Sequence, residues 1–332
     1  MDVKTEQPTK KVKRNVTKPS IVAGLVFIIA ILPLIVSSTY ILHIFILIFV
    51  YAIAAVSLRT ITISGQFPLA HAAFMGIGAY SSSMLAKWLG WSPWLTMPLG
   101  ALVAMGIGIL IGYPFARLRA LYYAMGSLFF GIGVISIIYA GGEWTGGYSG
   151  LTGIPPLLPL GTSKVPYYYL FFGLALVSLM ALYRFEFCRI GINLKAIAQS
   201  YLAASSVGIN EGLYRILAVA VGCFFAGLAG AGYAHYNLVV VGTSFNFMAT
   251  LWLVMYVLIG GIDSFAGPII GTFILILIPE FFRDLKTYSP YITAAILAIV
   301  VYLIPEGLIS LPRILKSAFT ERRKEKSITL NS

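Results

Sequence analysis

The sequence predicts an all-α polytopic membrane protein with about ten transmembrane helices, and a count of eight to ten is compatible with it. Three observations carry this. The 332 residues are 59% hydrophobic and 10% charged, whereas a soluble domain carries about 25% charged residues, so lipid must be the solvent for much of the surface. The apolar residues form continuous runs, long enough for helices and unlike the alternating ten-residue strands of a barrel. The basic residues sit at the flanks of those runs, where the positive-inside rule places them.

Ten windows satisfy the length for a crossing helix: 20–37, 40–58, 66–86, 94–116, 120–140, 166–183, 214–236, 245–262, 266–282 and 288–304. The first follows six cations (Lys4, Lys10, Lys11, Lys13, Arg14, Lys18) and imitates a signal peptide. No small-residue cleavage site follows, and a second apolar run opens at Tyr40, so a retained helix is expected. Six cations also follow Pro312 (Arg313, Lys316, Arg322, Arg323, Lys324, Lys326). Both termini are thus expected inside, with an even number of crossings. The organisation is a basic tail over 1–19, a transmembrane domain over 20–312 and a second basic tail over 313–332. The net charge of +12 reads as topology, not as nucleic-acid binding. Arg59, Arg117 and Arg119 are expected at the inner interface, since mid-membrane placement costs about 2.5–3.5 kcal/mol each.

One long polar interruption runs from about Tyr183 to Arg215, with Arg184, Arg189, Lys195 and Arg215 against Glu186 and Glu211. Being basic, it belongs inside. Leu202-Ala203-Ala204 followed by Gly208 predicts a short helix ending in a turn, an element that a cytosolic machine can grip. Asp263, Glu280 and Glu306 fall near helix ends, so the bundle is poor in the intramembrane groups that ion-coupled carriers use. There is no G-x-x-x-x-G-K-[ST], no G-x-S-x-G and no H-E-x-x-H. Neither nucleotide hydrolysis by this chain nor a metal or other cofactor is expected. Cys188 and Cys223 fall in the polar segment and in a helix, which makes a disulfide improbable.

Glycine marks three further places. Gly65, Pro68, His71 and Gly76 lie in a stretch where an apolar run is interrupted. Residues 58–86 form one crossing, a re-entrant pair or a broken helix of the kind that presents backbone to substrate. Gly108 with Gly112, Gly267 with Gly271, and Gly227, Gly230 and Gly232 predict close helix packing. Between the fifth and sixth windows, residues 141–156 contain six glycines and two prolines, which argues against a helix there. Trp144, Gly146, Gly147, Tyr148, Gly150 and Gly153 in this stretch suggest a defined irregular path that serves as a gate or as a docking surface for an external partner.

The segments G-Q-F-P-L-A-H-A-A-F-M-G-I-G-A-Y (65–80), R-L-R-A-L-Y-Y-A (117–124), T-G-G-Y-S-G-L-T-G-I-P-P (145–156), A-A-S-S-V-G-I-N-E-G-L-Y-R (203–215), A-G-L-A-G-A-G-Y-A-H-Y (226–236), G-G-I-D-S-F-A-G-P-I-I-G (260–271) and P-E-G-L (305–308) resemble, in order, the landmarks of the branched-chain amino acid ABC transporter permeases. The M-type (LivM) subunits are the nearest form. The resemblance implies a permease subunit of an ATP-driven importer in a prokaryotic cytoplasmic (inner) membrane. It further implies a heterodimer with a homologous H-type permease, two cytosolic ABC ATPases and an extracytoplasmic substrate-binding protein. It assigns ATPase coupling to the segment 184–213, through Leu202, Ala203, Ala204, Gly208, Arg189 and Lys195. Gly65, Pro68, His71 and Gly76 fall to the translocation path or a gate, and the glycines after Trp144 to an external loop. Leu202 stands where the family has Glu, Pro68-Leu69-Ala70 replaces Ser-Leu-Gly, and Ala120 replaces Gly. A urea or short-amide permease of the same superfamily is the nearest alternative. A stand-alone carrier or channel is the alternative from another class.

Overall fold

The computed structural model describes residues 19–35, 38–118, 120–159, 161 and 163–281. Apart from Pro19, both tails lie outside the described residues, as do Arg119, Glu306, P-E-G-L and the window 288–304. Each of the other nine windows holds a helix. The helices are α1 (Pro19–Ile35), α2 (Thr39–Thr62), α3 (His71–Trp88), α4 (Pro93–Phe115), α5 (Ala120–Ala140), α6 (Gly142–Thr145), α7 (Lys164–Phe187), α8 (Arg189–Gln199), α9 (Tyr201–Ser206), α10 (Glu211–Asn237), α11 (Phe247–Gly260) and α12 (Gly267–Phe281). Among the described residues six segments are long and apolar enough to cross a membrane: α2, α4, most of α5, α7, α10 and Gly242–Gly260, which ends in α11. Helices α1 and α12 are apolar but shorter, with 17 and 15 residues.

Three sequence expectations need correction. The window 66–86 is not helical at its start: α2 stops at Thr62, a turn follows, and α3 begins only at His71. The polar interruption is shorter than its charges suggest, because α7 continues through Arg184 and Glu186 to Phe187 and α10 already contains Arg215. The glycine-rich stretch after α5 does hold helical structure, the single turn α6 and a 3-10 turn at Gly147–Ser149. It also departs from a purely helical fold. Strands β1 (Leu151–Thr152) and β2 (Val239–Val240) pair antiparallel, Leu151 with Val240 and Thr152 with Val239.

The core is built on α2 and α10. Of the most apolar part of α2, 78% is buried, against 22% for α5, so α2 is central and α5 peripheral. The small residues let backbones meet. A side chain at Gly78 (α3) would overlap the backbone of Gly227 (α10), and one at Gly100 (α4) would lie 2.6 Å from the Gly78 carbonyl. Three helices therefore cross at a point where only hydrogen fits. Gly108 abuts Cys223, and Gly271 abuts the Tyr256 carbonyl, so both predicted glycine pairs serve helix contacts. Two ends of this bundle can be distinguished. One holds Arg59, α8 and α9; the other holds Trp88, α6 and the β1–β2 pair.

Candidate functional site

At the Arg59 end, three helices meet at one carboxylate. Glu186, in the last turn of α7, is 2% exposed and Arg59, in the last turn of α2, is 1% exposed. The Arg59 guanidinium donates to both carboxylate oxygens, Nη2 to Oε1 at 3.1 Å and Nη1 to Oε2, while its Nε donates to the Ile262 carbonyl at 2.7 Å. Lys195 of α8 donates to Oε1 at 2.7 Å. A planar guanidinium with five donors suits this bidentate arrangement better than a lysine would. Such a pair is stable in a dry site only because the remaining donors and lone pairs are also occupied.

Helices α8 and α9 follow α7 after the single residue Cys188. Helix α8 buries Gly191, Leu194 and Ile197, spaced as one helical face. A side chain at Gly191 would overlap the backbone of Glu186, so α8 lies directly on the end of α7. Ser200 caps α9 by accepting from the Ala203 amide at 3.3 Å. The helix closes as expected from its sequence: Gly208 adopts φ +83°, its amide bonds to the Ser205 carbonyl, and the Ile209 amide returns to the Ala204 carbonyl. Ala204 is buried, whereas Leu202, Ala203, Gly208 and Arg189 are exposed.

The α2–α3 break lies beside this face. Gly65 has φ +81°, and its Cα position is close enough to Ala198 of α8 that an added Cβ would lie 3.4 Å from the Ala198 Cα. Backbone freed by the break is satisfied from neighbouring helices. The Leu69 amide donates to Ser127 Oγ at 3.0 Å and the Ala72 amide to Thr250 Oγ1 at 3.1 Å. That is the condition for irregular backbone within a bundle. His71 is fully buried, with Nε2 2.8 Å from Ser57 Oγ.

The residues expected to share a path are not brought together. Gly65 faces α8, His71 faces Ser57, and Gly76 packs on Phe245. Pro68 borders a narrow crevice with Ile61 and Phe115. A larger cleft of about 270 Å³ opens instead between α5 and the first turns of α3 and α11. It is lined by Leu69, Ala73, Ile132, Ile135, Tyr139 and Thr250, among others. Asn246, also on its wall, caps α11 by accepting from the Ala249 amide at 3.0 Å.

At the Trp88 end, the glycine-rich loop after α5 is held in place by its neighbours. Gly146, Gly147, Gly150 and Gly153 all have positive φ. Tyr148 stacks on Tyr139 at 4.2 Å between centroids, and Trp144 lies against Trp88. Lys87 Nζ donates to the Thr152 carbonyl at 2.8 Å. Trp144 and Tyr148 are nevertheless 64% and 78% exposed.

Sequence reasoning missed Arg59 and Glu186 as a pair, and Thr250 and Ser127 as partners of the break. The signal available for the first pair was a lone cation and a lone acid at the ends of two apolar helices.

The sequence model of the family described as the branched-chain amino acid transport system permease component matches residues 40–305. The high-affinity branched-chain amino acid transport system permease protein LivM of Salmonella typhimurium strain LT2 is 27% identical over 291 residues, covering 80% of this chain and 68% of its own. The protein of the same description from Escherichia coli K12 is 26% identical over the same extent. No solved structure matches the chain. With a family match that spans most of its length, a helical bundle with six crossing-length apolar segments, and the family's landmarks in order, this chain belongs to the branched-chain amino acid ABC transporter permeases.

Proposed function

We propose that the chain is the M-type permease of an importer for aliphatic amino acids in a prokaryotic cytoplasmic membrane. It acts as a heterodimer with an H-type permease, with two cytosolic ATPases and an extracytoplasmic binding protein. The observation that carries the reading is the α8–α9 element. It ends in a short capped helix with exposed Leu202 and Ala203, and is mounted by Gly191 and Lys195 directly on the end of α7, with Ala198 beside Gly65 after α2. In this reading the Arg59 end faces the cytoplasm, and α8 and α9 carry ATPase motion into α7 and α2. Leu202 replaces an acidic contact by an apolar one, so docking rests on shape and burial.

Alternating access then opens the cleft between α5 and the α3 and α11 starts to each side in turn. Its mostly apolar wall suits an aliphatic side chain. The amino ends of two helices supply partial positive charge where a substrate carboxylate would pass. Gly65 and Gly76 act in this account by allowing close packing around the break, Pro68 by keeping helix out of it, and His71 by fixing the start of α3. The loop bearing Trp144, Tyr148 and the four positive-φ glycines is the surface for the binding protein.

The test is Ala204→Trp in the complex reconstituted in proteoliposomes with its partners. Ala204 is buried under α9, so the added bulk displaces the helix from its seat. Uptake of labelled leucine, isoleucine and valine is expected to be lost while the complex still inserts. Normal ATP-driven uptake would contradict the coupling assignment.

A further inference from the structure

The two bonds to Glu186 differ in a way that matters for a moving part. Arg59 and Glu186 are both almost fully buried. Separating them would leave two uncompensated charges in a dry site, so that bond is fixed. The Lys195 side chain, by contrast, is 41% exposed. If it withdraws, water solvates the ammonium, and Glu186 keeps both bonds from Arg59. The Lys195 contact is therefore the one that can be made and broken at small cost. It is also placed to matter. It joins α8 to a carboxylate that, through Arg59, holds the last turn of α2 and the Ile262 carbonyl in the turn between α11 and α12.

We propose that Lys195–Glu186 is a detachable latch by which movement of α8 is transmitted to the ends of α2, α7 and α11, with Arg59–Glu186 as its fixed anchor. Lys195 and Glu186 are positioning residues, and neither needs to meet the amino acid. Helix α8 is otherwise seated by Gly191 on the α7 end, by Ala198 near Gly65 and by its buried apolar face of Leu194 and Ile197. Apolar contacts are non-directional and by themselves do not single out one position. The ion pair is the contact that selects one position, since a charged hydrogen bond weakens steeply with misalignment.

The inference rests on the coupling reading above, and the experiment separates the two. In the reconstituted complex, leucine carried per ATP hydrolysed is measured for Lys195→Met, Lys195→Arg and Ala204→Trp. Methionine keeps the apolar stem and removes the charge; arginine retains a donor for Glu186. The expected result is a fall in the ratio of about tenfold in Lys195→Met, within the usual range of coupling between two sites, with recovery in Lys195→Arg. An unchanged ratio in Lys195→Met beside an uncoupled Ala204→Trp overturns the latch alone. Unchanged ratios in both remove the coupling reading as well. Loss of assembled complex in both Lys195 variants also overturns the latch, because the contact would then be holding the subunit together instead of transmitting motion.

Discussion

The two ends of the bundle are held by different chemistry. At the Arg59 end, a few buried charges tie distant helices together: Arg59 and Glu186 are 127 residues apart in sequence. At the Trp88 end, turns and uncharged contacts hold distant segments together, as where Leu151 pairs with Val240. Stacked rings, a pair of two-residue strands and glycines in the left-handed region hold the loop against its neighbours. The difference teaches what each end is suited to. Buried ion pairs are intolerant of partial separation and so define discrete positions of rigid helices. Exposed aromatics on a fixed loop offer contact area with little ordering cost, which suits a surface that meets a partner and lets it go.

The largest effect should come from breaking the first kind of bond. Glu186→Ala leaves Arg59 buried without its carboxylate, and a loss of about 3–5 kcal/mol is expected for removing one partner of such a pair. Thermal unfolding of the purified complex would show it, together with partial recovery in the Arg59→Met, Glu186→Ala double variant. A double variant no better than the single would mean that the two side chains do not act as a pair.

A smaller and more local effect is expected at the other end. Gly150 has φ +83°, and a Cβ there would lie 2.6 Å from the Val240 carbonyl. Gly150→Ala should therefore cost about 1–3 kcal/mol of local strain. It should loosen the loop, lower uptake that depends on the binding protein, and leave global unfolding nearly unchanged. A global loss as large as that of Glu186→Ala would erase the contrast between the ends.

The legibility of the sequence divides between local and long-range signals. Apolar runs and glycine spacings are local signals, and nine of the ten windows, the α9 turn at Gly208 and the close-packing glycines could be read from them. The α2–α3 break was ambiguous because Gly65 and Pro68 signal a solvent turn and a buried interruption alike. What separates the two is the supply of partners from Ser127 and Thr250, which lie far along the chain. Glu186 was placed in a polar loop because its neighbours Arg184, Arg189 and Lys195 are polar. Its burial depends on Arg59, and no local pattern records that. His71 and Gly76 interrupt the pattern conspicuously, whereas the cleft is walled by residues that leave no mark on it, such as Leu69, Ala73 and Ile135.

The most direct measurement is to purify the tagged chain from its native membrane, identify what accompanies it, and reconstitute the result. The account predicts a second hydrophobic permease and two P-loop ATPases, with uptake of an aliphatic amino acid that requires ATP. Recovery of the chain alone, transporting without ATP, would contradict it and point to a carrier or channel.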